Sequence, residues 1–348
     1  MPKDMDPSLR DSKVRHKRAT IIDVAERAGV SRQTVSRVVA GGELVAKDTL
    51  ERVTTAIEEL GYRPNHLART LVQRRSCILG VSALDLDSPL ASPFIERLQA
   101  LSRPLGYHII VSNFDLEDEG GAGTLHTFVS LSVDGIALFP AVMEADVIER
   151  FARSYDGRIV AVGRVDQIEG VHSLSLDEVA AAQLVVDHLI SRGRRRIAVL
   201  TNAWYPGVVH PRMAALQATL DRSGSPAVQF VAGYEPDIEG GMAAMTELIS
   251  QHSSGDIDAV VAYNDTMAFG ALHACRTHGL SVPHDVAVVG YDGTPFGAVS
   301  DPPLTTVPQD AGRYAEVVFK LLIDDQEANA AAEEPTLIAP RLVVRGSS

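Results

Sequence analysis

IIDVAERAGVSRQTVSRVV, residues 21–39, decides how the rest of the chain is read. Its spacing predicts two short amphipathic helices joined by a tight turn. In the first, Val24, Ala25 and Ala28 share a face, and the small Ala25 lets a second helix come close. Gly29 follows the last periodic residue and can take the left-handed conformation that ends a helix. The Ser31 hydroxyl can accept the orphan N–H groups of the next turn, which makes Ser31 the expected N-cap of a helix over residues 32–39. On that helix Val35, Val38 and Val39 face inward, while Arg32, Gln33, Ser36 and Arg37 gather on the outer side with Thr34 among them.

That outer face carries the chemistry of DNA reading. Arg matches guanine O6/N7 and Gln matches adenine N6/N7, each good bidentate pair giving roughly 1–3 kcal/mol of discrimination, and the hydroxyls of Ser and Thr suit phosphates. The same residues could equally be the solvated face of an ordinary helix pair, and spacing alone leaves both readings open.

The segment AERAGVSRQTVSRVV resembles the helix-turn-helix of the lactose-repressor (LacI/GalR) family of bacterial transcription regulators, and the similarity runs on without a gap through ERVTTAIEELGYRPNHLARTL. The resemblance implies a sequence-specific DNA-binding regulator, a repressor, that grips an inverted-repeat operator as a homodimer under allosteric control by a small ligand, a sugar or sugar derivative. Arg32, Gln33, Thr34, Ser36 and Arg37 would then touch double-stranded DNA. A third helix is expected over 48–60, with Val53, Ala56, Ile57 and Leu60 on its buried face and Gly61 ending it. The family usually has Asn where Ala40 stands and a capping Ser where Ala46 stands.

After Tyr62-Arg63-Pro64, Asn65 can cap a run of six residues, 66–71, too short to be a stable helix alone. Read from the residues, this is either a conditional helix or a plain linker. NHLARTL resembles the family's hinge helix, which orders when two copies pack on operator DNA. By that resemblance Leu71 enters the minor groove, with Ala68 against it, and the unstacking is offset by contacts to the bent duplex.

Charge is divided along the chain. The total is 32 Lys+Arg against 45 Asp+Glu, yet residues 1–75 hold 15 against 10, which leaves 17 against 35 for the remainder. A basic head on an acidic body suits a phosphate-contacting module joined to something that stays off DNA. Residues 1–18 lack periodicity and end in KVRHKR, the mark of a disordered basic arm. With 348 residues and 45% hydrophobic composition, two or three domains with true cores are expected. No run of about 18 apolar residues and no apolar segment behind the N-terminal charges occur, so neither a membrane span nor a secretory signal is expected. Cys77 and Cys275 each lie in an apolar run and are expected as buried reduced thiols in a cytoplasmic protein.

From Cys77 onward, short apolar runs alternate with amphipathic segments. CILGVSA, YHIIVSN, DGIALFP and GRIVAVG read as strands, with helices near 94–105, 121–132 and 145–155. A second series has helices near 179–192, 211–223, 240–252 and 266–278, with strands in RRIAVLT, VQFVAGY, DAVVAYN and DVAVVGY. Right-handed crossovers then give two doubly wound parallel-sheet lobes. These resemble the α/β type I periplasmic-binding-protein fold that forms the effector domain of the same family. The expected plan is a basic arm (1–18), a small all-α helix-turn-helix head (19–64), a hinge helix and linker (65–75), and an effector-binding and dimerisation domain (76–348). Lobe one is expected at 76–165 plus 308–326, and lobe two at 166–307 plus 327–348. The alanine-rich stretch 328–332 with AEEPT is expected as a surface loop. No terminal leucine heptad is present, which favours a dimer over a coiled-coil tetramer.

Ligands of open α/β sheets bind beyond the carboxyl ends of strands. Asp85, Arg164, Asp177, Trp204, Arg212, Tyr234, Asn264, Asp265 and Asp292 end or follow the apolar runs. Carboxylates, an arginine and an amide around an aromatic ring can hold adjacent sugar hydroxyls. Resemblance places Arg212 in HPRMAALQ, Asn264 in AYNDTMAFGAL and Asp292 in VVGYDGTPF at effector-contacting positions, and PPLTTVPQD at the late crossover. The candidate effector set is Arg212, Asp292, Asn264, Tyr234, Arg164, Trp204 and Asp85, each of which could instead be a helix-end charge pair, a loop cap or packing. Asp265 is expected to cap the helix it precedes. Ser92-Pro93-Phe94 stands in place of the usual Asn-Pro-Phe, and Trp204 lies in an idiosyncratic NAWYPGVVHP that could stack on a sugar face.

Histidines show no HxxxH spacing or cysteine partnering, GGAG at 120–123 lacks a P-loop lysine, and no Ser-His-Asp set has a supporting motif. No metal, cofactor or catalysis is therefore expected. Two other functions remain beside the regulator: a sugar-binding sensory module without operator activity, and an enzyme acting in the cleft.

Overall fold

The computed structural model describes residues 19–39, 45–62, 75–83, 86, 88–113, 121–202, 211–224, 227–252, 256–324 and 334–348. The basic arm, Ala40, the hinge residues Asn65, Ala68 and Leu71, the cleft candidates Asp85 and Trp204, and the alanine-rich loop lie outside them. The chain forms two units, Met1–Ser76 and Cys77–Ser348.

The first unit holds three helices, α1 (Ile21–Ala28), α2 (Arg32–Val39) and α3 (Lys47–Leu60). A capping box opens α1: the Thr20 hydroxyl accepts from Asp23 N, and the Asp23 carboxylate accepts from Thr20 N at 2.7 Å. Gly29, at φ 63°, ends it as a left-handed cap. Ser31 Oγ accepts from Thr34 N at 3.1 Å, the capping bond expected for α2. Ala46 precedes α3 and makes no side-chain capping bond. Val24, Ala25, Ala28, Val35, Val53 and Ala56 form the buried core, with Val38, Val39, Ile57 and Leu60 packed at its margin. One contact not anticipated from sequence ties the ends together. Arg52 on α3 donates from Nε and Nη2 to the Ala28 carbonyl, at 3.2 and 2.7 Å, and from Nη2 to that of Gly29 at 3.2 Å. It thus satisfies carbonyls left open at the C-terminus of α1.

The second unit contains two all-parallel sheets. The first is ordered β11-β5-β4-β3-β1-β2, from β1 (Ile78–Ala83), β2 (His108–Asn113), β3 (Gly135–Phe139), β4 (Arg158–Val162), β5 (Val171–Leu176) and β11 (Thr336–Ile338). The second is ordered β10-β9-β8-β6-β7, from β6 (Arg196–Asn202), β7 (Ala227–Tyr234), β8 (Ala259–Ala262), β9 (Ala287–Asp292) and β10 (Thr305–Pro308). The helices are α4 (Ala91–Ser102), α5 (Ala122–Ser130), α6 (Ala145–Ala152), α7 (Glu178–Ser191), α8 (Pro211–Ser223), α9 (Ile238–Gln251), α10 (Asp265–Thr277) and α11 (Ala311–Ile323). Strands covered on both faces should read as unbroken apolar runs, and β3, β4, β6 and β8 are largely of this kind. Ile197 and Val199 of β6 enter one core of the second sheet, and Ala198 and Leu200 enter the other. In β3, Ile136 and Leu138 face one side, and Ala137 and Phe139 the other.

The lobe boundaries differ from those expected. β5 pairs with β4, and β11 with β5, so two stretches expected in lobe two, within 166–307 and 327–348, belong to the first sheet. The chain crosses to the second sheet after Leu176, returns after Pro308 into α11, which packs on α4 and β4, and crosses a third time after β11. There Val343 bridges Thr306, and Val288 N donates to Ser347 O at 2.8 Å. The alternating VHSLSL hides β5 from a search for apolar runs: Ser173 and Ser175 are buried, and Ser173 Oγ is satisfied by the Asp166 carbonyl at 2.8 Å. Cys275 is buried and Cys77 half-buried, both as free thiols.

Candidate nucleic-acid interface and ligand cleft

In the first unit the core buries Val35 completely and leaves the opposite side of α2 in solvent. Arg32, Gln33, Ser36 and Arg37 are all exposed there, and Thr34 is half-buried with its hydroxyl 2.9 Å from that of Ser31. Among the described residues neither Arg32 nor Arg37 forms an ion pair, whereas Arg27 is held by Glu59 at 2.6 Å. The result is a helix seated on a core, with hydrogen-bonding side chains along its outer face and two cations among them.

In the second unit the strand ends converge on a buried charge cluster. Arg212, in the first turn of α8, keeps only 4% of its surface exposed. Its Nε lies 3.3 and 3.4 Å from the two carboxylate oxygens of Glu178, the first residue of α7, and Nη1 donates to the Tyr263 carbonyl at 2.5 Å. The guanidinium carbon lies 4.2 Å from the Tyr291 ring centre and 5.2 Å from that of Tyr263. Burial works against its charge, but Glu178 and Asp292 more than offset this, and its pKa is raised. Burial pushes the Glu178 carboxyl up, with Arg212 pulling the other way.

Asp292 ends β9 in a backbone conformation that L-residues rarely adopt, φ 99°. It is held there from two directions. Gln309, just past β10, donates its backbone N–H to the Asp292 carbonyl at 2.9 Å and its side-chain amide to Oδ1 at 2.8 Å. Strain of roughly 1–3 kcal/mol kept in place by its surroundings is a mark of a functional position. Burial raises the pKa of Asp292, and Arg212 and Gln309 lower it. Tyr314 of α11 donates its hydroxyl to Gln309 at 3.2 Å, and burial raises its pKa.

The other candidates are engaged elsewhere. Asn264 caps α10, accepting from Met267 N at 2.7 Å, and donates its amide to the Pro236 carbonyl at 2.8 Å. Asp265 is not the cap expected. It lies fully buried, accepts from Thr294 N at 2.6 Å and from the Thr306 hydroxyl at 2.5 Å, and burial pushes its carboxyl up to about 6. Tyr234 donates to Glu247 of α9. Arg164 grips Asp166 with two nitrogens and donates to the Ala141 and Met143 carbonyls, within the loops of the first sheet. Asp177 caps α7, accepting from Ala180 N at 2.9 Å. The structure thus brings Arg212 and Asp292 together and turns Asn264, Tyr234 and Arg164 to local work.

Comparison with known proteins agrees with both units. Residues 20–65 match the family described as bacterial regulatory proteins, lacI family, and residues 186–348 match the periplasmic binding protein-like domain. The HTH-type transcriptional regulator reg1 of Streptomyces lividans is 33% identical over 346 residues, spanning 94% of this chain and 96% of that one. The chain belongs to the lacI family of bacterial regulatory proteins. The regulator GalS of Salmonella typhimurium is 27% identical over 94% of this chain and 96% of its own. Among solved structures, the lac repressor dimer bound to operator and the anti-inducer ONPF aligns at TM-score 0.85 and 27% identity, over 95% of this chain and 99% of that one. A complex of the regulator CelR with cellobiose aligns at TM-score 0.67 and 28% identity, over 95% and 100%.

As a lacI-family member the protein is a DNA-binding transcriptional regulator. Four residues around Arg212 had no signal of their own in the sequence: Glu178, Tyr263, Tyr291 and Tyr314. Glu178 reads as an ordinary acidic residue in the first turn of a helix. Only α8 packing beside α7 makes it the counter-ion of a buried arginine. Gln309 could have been found, since it lies in the PPLTTVPQD crossover.

Proposed function

We propose that this regulator is a homodimeric, ligand-controlled repressor that reads an inverted-repeat operator. The observation that carries the reading is the exposed row Arg32, Gln33, Ser36 and Arg37 on a helix whose other face is sunk in a core, in one chain with the Arg212–Glu178–Asp292 cluster. Arg32, Gln33 and Arg37 contact bases, and Thr34 and Ser36 contact phosphates. Asn65, Ala68 and Leu71 form the hinge element that orders on operator DNA. The effector is a sugar or sugar derivative held by Arg212 and Asp292, in keeping with the cellobiose complex of CelR. Its binding alters hinge pairing with a coupling of about 1–3 kcal/mol. The protein binds its ligand without transforming it, and does so in the cytoplasm, where the chromosome lies.

A surface of the second sheet's lobe supports the dimer. Gly241 of α9 and Gly270 of α10 let these helices touch: an added Cβ on either would stand 2.1 Å from a carbonyl of the other helix. Beside the pair, Phe296 is 68% and Val299 80% exposed, with Ile238, Met242, Phe269 and Leu272 lining the same groove. Exposed apolar side chains grouped in this way are a feature of interaction surfaces. A second copy is the partner here, as two half-sites about one helical turn apart require.

Operator sequences selected from genomic fragments, followed by fluorescence anisotropy with and without a sugar panel, test the reading. Symmetric sites bound by dimers, with affinity that changes with one sugar, are expected. Binding indifferent to sequence, or a monomer on an asymmetric site, would sink it.

A further inference from the structure

The buried cluster around Arg212 holds more carboxylates than cations. The side chains of Arg212 and Glu178 are 5% and 6% exposed, so their ion pair is shut off from bulk water. Asp292 acts electrostatically on both. Its Oδ1 is taken by Gln309, and Oδ2 accepts no hydrogen bond among the described residues. Asp265 lies behind it, on Thr294 and Thr306, close enough for the Asp292 charge to bear on it. Two carboxylates thus share one guanidinium, and a third bears on Asp292. The wall adds an unpartnered polar atom: the Tyr291 hydroxyl is buried with no hydrogen bond among the described residues, and its ring lies 4.2 Å from the Arg212 guanidinium carbon.

A phosphate or carboxylate reaching Arg212 would have to displace Glu178 or sit against Glu178 and Asp292 together, in surroundings where like charges are poorly screened. Ligand hydroxyls instead donate to these carboxylates, and an ammonium adds the positive charge that a single arginine cannot share among them. We propose that Glu178 sets the charge class of the effector, closing Arg212 to anions so that the cleft takes hydroxylated ligands without negative charge and prefers those bearing an amine. The inference rests on the reading of this cleft as the effector site.

Thermal-shift titrations of the full-length protein test it in two arms. In the first, inorganic phosphate is compared with chloride at matched ionic strength. The wild-type Tm should follow the same course in both, Glu178→Gln should gain a phosphate-dependent rise, and Glu178→Gln/Arg212→Gln should lose that rise. In the second, glucose and galactose are compared with their 2-amino and 6-phosphate derivatives on the wild type. The amine should bind at least as tightly as the parent sugar, and the phosphate at least tenfold more weakly than either. Wild-type stabilisation by phosphate equal to that of Glu178→Gln, or a sugar phosphate that binds as tightly as its parent, overturns the proposal. The second arm decides alone should Glu178→Gln fail to fold. If neither sugar series binds, the first arm still decides the charge class, and the loss falls on the reading of the cleft as a sugar site.

Discussion

The head and the body are stabilised in different ways, although both are built around buried apolar residues. In the head, six residues from three helices make the core, and much of the rest is end-capping: Thr20 with Asp23, Ser31, Gly29, and Arg52 on the carbonyls of α1. In the body each sheet is covered on both faces, and a charged group lies buried among the strand ends. The difference assigns tasks. A surface helix that must present polar side chains can be fixed by local bonds, whereas a site that must respond to a ligand holds charge where water does not screen it.

The contrast can be broken most sharply at Arg212. Arg212→Ala leaves Glu178 and Asp292 without their cation, and removal of one partner of a buried pair should destabilise the body by about 3–5 kcal/mol. Urea unfolding of the variant checks this, and a loss below about 1 kcal/mol would place the cluster in water after all. Next in size is a pH effect at Asp265. Its carboxyl rises from the ordinary 3.8 to about 6 in the fold. The folded state therefore binds the proton more tightly than the unfolded chain, and this contribution is present below about pH 4 and lost as pH rises toward 6. Asp265→Asn, which keeps the side chain neutral, should flatten the pH dependence of body stability across that window. An unchanged slope between wild type and variant would reject it.

The head offers smaller effects. Arg52→Ala removes the donor to the Ala28 and Gly29 carbonyls and should cost about 1–2 kcal/mol, read as earlier melting of the head with the body transition unmoved. Equal melting of the two proteins would mean that the capping role is idle. Ala46→Ser should do the opposite. It places a hydroxyl at a helix start that makes no side-chain capping bond and should add about 1 kcal/mol. Hydrogen exchange in the first turn of α3 reports it, and no slowing there would count against the cap.

How far the sequence could be read follows the same division. The Gly29 turn, the Ser31 cap and the inward Val35 concern residues within a few positions of one another, so periodicity and capping rules suffice. Most strands and helices of the body were legible for the same reason, and α8 spans the 13 residues expected of it. β5, β10 and β11 are not separable in the sequence, because alternating or short runs carry little signal until a neighbouring strand pairs with them, whereas α11, 13 residues behind the Asp310 cap, has a helical signal of its own. Asp265 shows the limit at a single residue: beside a helix start an acid reads as a cap, yet Asn264 caps and Asp265 turns inward to Thr294 and Thr306, 29 and 41 positions away.

By itself, then, the sequence determined a basic helix-turn-helix head and an acidic α/β body, and its resemblance to the family put Arg212 and Asp292 among the residues to inspect. Only the tertiary structure decided that Glu178 closes on Arg212 across 34 positions, and that Asn264, Tyr234 and Arg164 are engaged locally. Local propensity is written in neighbouring residues. The partner of a buried charge is fixed by which strand ends the crossovers bring together, and that is a property of the whole fold.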